Sequence, residues 1–199
     1  MAWSYVAAGT TTIGNTAITV PMPAGIASGD YLILVVNSQA SAAPTPVGWT
    51  VIQSQSSRPY AYILYRVATG TDPSVVVTTG VNNIAGVVVA YRGLTSVGNT
   101  SATTTLSTAS LTSTAGALVL SVFNNDSNPA TWGAPAGTTT RVTLNSTAAI
   151  LGFLIVDETQ ASAGATTVRT ATNSSSPYDT YAVSFAIPPT ATGNFFFLF

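Results

Sequence analysis

Two acids stand side by side in this chain, Asp157 and Glu158, and paired carboxylates can hydrolyse a glycosidic bond when both flank it. They stand at the end of an extended apolar segment, where neighbouring side chains point to opposite faces, so the spacing does not bring both to one substrate and a strand end meeting solvent is the expected role. Asp30 follows Gly29 and opens a strongly apolar run. With no second acid near it in sequence, it reads as a carboxylate accepting backbone N–H bonds in a turn. Residues 124–128, Asn-Asn-Asp-Ser-Asn, are rich in oxygen, but one Asp falls short of the several carboxylates that calcium prefers. The chain contains no His, no Cys and no Lys. The imidazole base, the thiolate and the Schiff-base amine therefore have no residue to supply them. The expectation is a protein that is not an enzyme, with no catalytic residues, no cofactor and no metal site.

Binding chemistry has more material. Arg66 and Arg92 each follow a tyrosine, and either could pair with Asp72 or Asp30 or stack on a ring. Trp49, Arg58, Tyr60 and Tyr62 form a candidate glycan-contacting set, since aromatic rings stack on sugars and Tyr60 and Tyr62 share a face of an extended strand. Core packing accounts for the same alternation, and Trp49, just after Gly48, reads as a core anchor. The sharpest signal is Phe195, Phe196, Phe197, Leu198 and Phe199, placed after Pro188 and Pro189 and a small polar tether at 190–194. Burying each large apolar side chain is worth about 1.5–3 kcal/mol, so the run is expected to be an assembly interface docked on a neighbouring subunit.

The elements that would position these residues are strands. Short β-branched and period-2 runs fall at 3–8, 17–20, 31–37, 49–53, 61–67, 74–79, 84–92, 117–123, 139–144, 149–156, 166–171 and 181–187, with Gly, Pro, Asn and Asp between them. No amphipathic helix stands out. The expected fold is all-β, a jelly-roll-like antiparallel β-sandwich. Its two halves look related. GDYLILVVN at 29–37 aligns with GALVLSVFN at 116–124, PVGWTVI at 46–52 with PAGTTTRV at 135–142, AYILYRVA at 61–68 with ILGFLIVDE at 150–158, and AGVVVAYRG at 85–93 with DTYAVSFAI at 179–187. The expected organisation is one sandwich domain over 1–189. Its halves lie at about 1–94 and 115–189, joined by a Ser/Thr-rich connection at 95–114 and followed by the apolar tail 190–199.

Composition narrows the partners. Five Arg and six acids in 199 residues leave a net charge of −1, and charged residues are 6% of the chain. An ordinary soluble domain carries about 25%. The 33 Thr and 21 Ser predict a hydroxyl-rich surface instead. No basic patch exists for a phosphate backbone, so nucleic acid is not an expected partner. No apolar run reaches membrane-spanning length. The opening residues lack the positive and apolar regions of a secretory signal, so export by that route is not expected. A near-neutral surface resists association poorly, which fits a homo-oligomer.

Five ordered motifs, PAGIASGDYL at 23–32, Gly48-Trp49, YRVATGTDPS at 65–74, AYRG at 90–93 and ETQASAGATTVRTAT at 158–172, resemble a β-sandwich family of bacteriophage virion and bacterial surface proteins. The match spans about residues 3–189. The resemblance implies a structural role on a virion surface, as a head decoration or cement protein or as a tail or fibre component, with capsid or tail proteins as partners. It carries no catalytic motif. The chain departs from the family where a second Gly-Trp turn often lies, having Ala136-Gly137-Thr138 instead. A carbohydrate-binding module for host attachment is the alternative expectation.

Overall fold

The computed structural model describes residues 2–39, 41, 44, 46–55, 57–80, 83–126, 131–145, 151–174 and 180–189. Among these the chain is all-β, with no helix. Residues 1–92 supply β1 (Ser4–Ala8), β2 (Thr12–Gly14), β3 (Ala17–Val20), β4 (Tyr31–Ser38), β5 (Thr50–Ser54), β6 (Tyr60–Val67), β7 (Val75–Thr78) and β8 (Ile84–Arg92). The remainder supplies β9 (Thr100–Thr103), β10 (Thr112–Ser113), β11 (Leu118–Asn125), β12 (Trp132–Gly133), β13 (Thr139–Leu144), β14 (Gly152–Thr159), β15 (Gly164–Ala165), β16 (Thr172–Asn173) and β17 (Thr180–Ile187).

Two antiparallel sheets form the body. One runs β1-β8-β4-β6-β5, with β2 also on β8; the other runs β9-β17-β11-β14-β13. The chain completes the first sheet before starting the second, so the jelly-roll likeness goes no further than two packed antiparallel sheets. The second order repeats the first strand for strand. The repetition extends to detail: β5 is bulged between Val51 and Gln53, and β13 between Thr140 and Val142, at matching rungs. Bulges are local devices that re-aim side chains, so a shared bulge is a stronger likeness than shared strand order. Gly48 and Gly137, at φ 81° and 79°, make the turn before each bulged strand in a conformation that strains any residue with a Cβ.

The central strands are buried along almost their whole length, all eight positions in both β4 and β11. Both faces are therefore covered, which is why their sequences are nearly continuous apolar runs. Tyr31, Ile33 and Val35 meet Leu118, Leu120 and Val122 in the core between the sheets. Leu32, Leu34 and Val36 point the other way, beneath the two-stranded antiparallel β3–β7 sheet, where Ile18, Val20, Val75 and Val77 close over them. The outer face of the second sheet holds Phe123, Leu154, Val156 and Ala182, with Ala171, Leu106 and Trp132 over it.

Two sequence expectations change. The stretch 95–114, expected to be a connection, carries β9, which pairs with β17. Residues 166–171, expected to be a strand, instead lie over the second sheet as a hydrogen-bonded cover. Thr166 N donates to Leu111 O (2.7 Å) and Ala171 N to Leu106 O (3.0 Å), with an isolated bridge between Ser107 and Thr170. Thr and Val there favour extended backbone, but the backbone groups find partners in the 105–114 segment rather than in a sheet.

Candidate functional site

All five arginines are bound to acids of the same chain. Arg92 holds Asp30 with Nε and Nη2, each at 2.7 Å, and Ala27 N donates to the same carboxylate at 2.8 Å. The Arg92 hydrogen bonds hold the Asp30 carboxyl below the usual carboxylate range. Arg66 pairs with Asp72, whose second oxygen accepts Thr69 N (2.9 Å) and Gly70 N (3.1 Å). Arg58 reaches across to Asp126 at 2.7 Å, where Gln39 Nε2 also donates at 2.9 Å. The carboxylate of the 124–128 segment is thus engaged by protein donors. Arg169 pairs with Glu158 and donates to Ala136 O.

Asp157 and Glu158 do point to opposite faces. Asp157 is 1% exposed and lies between the sheets, accepting from Arg141 Nε (2.6 Å) and from Tyr91 OH (2.9 Å). Arg141 in turn lies 4.3 Å from the Tyr5 ring centre. Burial, and then the Asp157 charge, push the Tyr91 hydroxyl far above its ordinary value. This set of four residues joins β1 and β8 of the first sheet to β13 and β14 of the second. At the opposite end of the central strands, Asn37 Nδ2 donates to Asn125 O (3.2 Å) and Gly152 O (3.1 Å), joining β4 to the second sheet.

A concavity opens on the outer face of the first sheet. It is a groove of about 360 Å³. Pro46, Val47 and Trp49 form one wall and residues 73–76 the other, with Arg66 between them. The Arg66 guanidinium sits 5.3 Å from the Trp49 ring centre. Trp49 is half-buried, packed on the Leu34 and Leu64 cluster with its remaining surface in the groove, so it serves both as anchor and as wall.

Trp49, Tyr60 and Tyr62 lie on the same outer face of the first sheet but at opposite ends of β6, and Arg58 is turned away from them. Thr50 pairs with Tyr65, which puts Trp49 at the C-terminal end of β6, whereas Tyr60 begins that strand. Tyr60 and Tyr62 do share a face, packed with the outer cluster, and Tyr62 is 3% exposed, its hydroxyl donating to Ser41 O. Arg58 is turned to the second sheet by Asp126. Phe195, Phe196, Phe197, Leu198 and Phe199 lie outside the described residues. Sequence reasoning missed the wall at 73–76 and the place of Arg66 beside Trp49. The Tyr65-Arg66 and Asp72-Pro73 motifs held the residues, but only the fold brings them against Gly48-Trp49.

No protein-family model, no curated protein and no solved structure matches this chain.

Proposed function

We propose that this chain is a structural subunit of a bacteriophage virion exterior, a capsid decoration or cement protein or a fibre component. It acts by self-association and by docking to neighbouring virion proteins. The observation that carries the reading is the consumption of every arginine in an ion pair within the chain. The described surface is left to meet its surroundings with hydroxyls and with exposed aliphatic groups such as Val47 and Val76, 98% and 58% exposed. A surface of that kind has little charge repulsion to keep copies apart. The Phe195–Phe199 run supplies the apolar contact that joins them. The test is a stained gel of virions purified from cells carrying the gene, together with a glycan-array assay of the pure protein. Stoichiometric presence in particles without glycan binding supports the reading. Absence from particles, or saturable glycan binding at a mapped aromatic site, overturns it.

A further inference from the structure

The groove beside Trp49 has an edge as well as walls. β7 pairs with β3 along one side, at Val75↔Val20 through Thr78↔Ala17. Along its other side it has no ladder partner among the described residues, and Ser74, Val75 and Val76 line the groove. An unpaired strand edge presents a row of N–H and C=O groups that an extended segment can complete. The exposed apolar side chains gather in this half of the molecule. Ile13, Val47, Val51, Val67 and Val76 lie there, against Val168 alone among the described residues of the other half.

The chemistry of the groove selects its occupant. Its one cation, Arg66, is neutralised by Asp72 and stacked on Trp49, so it is not free to recruit an acidic peptide. The same stacking covers a face of the indole that a sugar would need. What remains is neutral: an indole, two prolines, valines and a strand edge. The chain itself contains one segment of that character outside the described residues, the uncharged run Phe195–Phe199. At five residues it matches the four-residue edge of β7. Phe favours extended structure.

We infer that this groove is the receptor for the Phe195–Phe199 run of a second copy, which adds as a strand on the free edge of β7 and places aromatic rings against Trp49. The inference rests on the proposed self-association and names where it happens.

The chain has no cysteine, so single cysteines report proximity without background. Ser74→Cys protein is mixed under mild oxidation with variants carrying one cysteine at Phe195, Phe196, Phe197 or Leu198. Thr143→Cys, on the exposed edge of β13, serves as control. The expected result is a disulfide-linked mixed dimer at one or two tail positions, about ten-fold more abundant with Ser74→Cys than with Thr143→Cys, because docking raises the local concentration. Equal or greater linkage to Thr143→Cys overturns the inference. So does a disulfide that forms only within a Ser74→Cys/Phe197→Cys double variant, since the tail then occupies its own groove. Deleting Phe195–Phe199 separates the two levels. If deletion lowers the solution mass but no tail position links to Ser74, association through the tail stands and the receptor is wrong. If deletion leaves the mass unchanged, both fall.

Discussion

The two halves of this molecule share one strand plan and solve the outer cover of their sheets differently. Among the described residues, thirteen buried residues form an apolar layer between the first sheet and the β3–β7 strand pair, and five form the corresponding layer on the second sheet. There the cover is held by polar links instead. Thr166 Oγ1 accepts Leu111 N (2.9 Å), Ser110 donates to Thr166 O (2.7 Å), Arg169 N donates to Thr108 (3.0 Å), and Arg169 pairs with Glu158. The matching rungs inside the sandwich differ too. Tyr65 stacks on Tyr31 at 5.1 Å in the first half, and at the equivalent place in the second Asp157 takes Arg141 and Tyr91. The lesson is that strand order, bulge and turn define the plan, while the chemistry filling it is free to change where each buried polar group finds a partner.

The largest expected effect tests the apolar layer. Leu34→Ala, at a wholly buried position beneath the β3–β7 strand pair, is expected to cost about 3–5 kcal/mol in chemical denaturation, and Leu154→Ala, at 1% exposure under the polar cover, about 2–3 kcal/mol. Equal losses would mean that both covers pack alike and would break the contrast.

The polar interior is probed by Arg141→Met, which leaves Asp157 buried with Tyr91 as its remaining side-chain donor. A loss of about 3 kcal/mol is expected, restored in large part by adding Asp157→Leu. If the double variant is no more stable than the single one, the pair is not the reason for the loss.

Alkaline pH offers a third test. Burial raises Tyr5, Tyr31, Tyr62, Tyr91 and Tyr181, with Tyr181 pushed up to about 12 from its ordinary 10.0. A folded value above the unfolded one means that stability is complete below pH 10 and is lost as pH rises from there through the folded value. The melting temperature should hold between pH 7 and 9 and fall steeply above pH 10, and the fall should be smaller in Tyr181→Phe. A Tyr181→Phe curve that overlays the parent would contradict the assignment.

A smaller effect comes from Asn124, 0% exposed, whose side-chain oxygen and nitrogen both lack a hydrogen-bond partner among the described residues. It aligns in sequence with Asn37, whose amide nitrogen does have partners. An unmet buried amide costs about 1–3 kcal/mol, so Asn124→Leu should raise stability by about 1 kcal/mol. A fall in the melting temperature would show that the amide is engaged.

Much of this plan could be read from residue order. The runs at 31–37, 84–92 and 181–187 are nearly continuous in apolar residues and bounded by turn residues, so their strands stood out, and the alignment of 29–37 with 116–124 anticipated equivalent central strands. β9 and the 105–114 cover were hidden because Thr and Ser crowd there with no hydrophobic period, and 166–171 was read as a sheet strand because its Thr and Val favour extended backbone. Their partners are distant hydroxyls and carbonyls, such as Thr166 for Leu111. The Arg66–Asp72 and Arg92–Asp30 pairings were among the options visible in sequence. The groove was not, since it needs the 46–49 turn, the far end of β6 and the edge of β7 in one place.

The central claim, that copies of this chain associate through the aromatic run, is tested most directly by the solution mass of the intact chain and of a chain lacking Phe195–Phe199. Both would be measured by light scattering, with a thermal melt of each. The account predicts an oligomer for the intact chain and a folded monomer with an unchanged melt for the shortened one. Equal masses for the two, or an unfolded shortened chain, would contradict it.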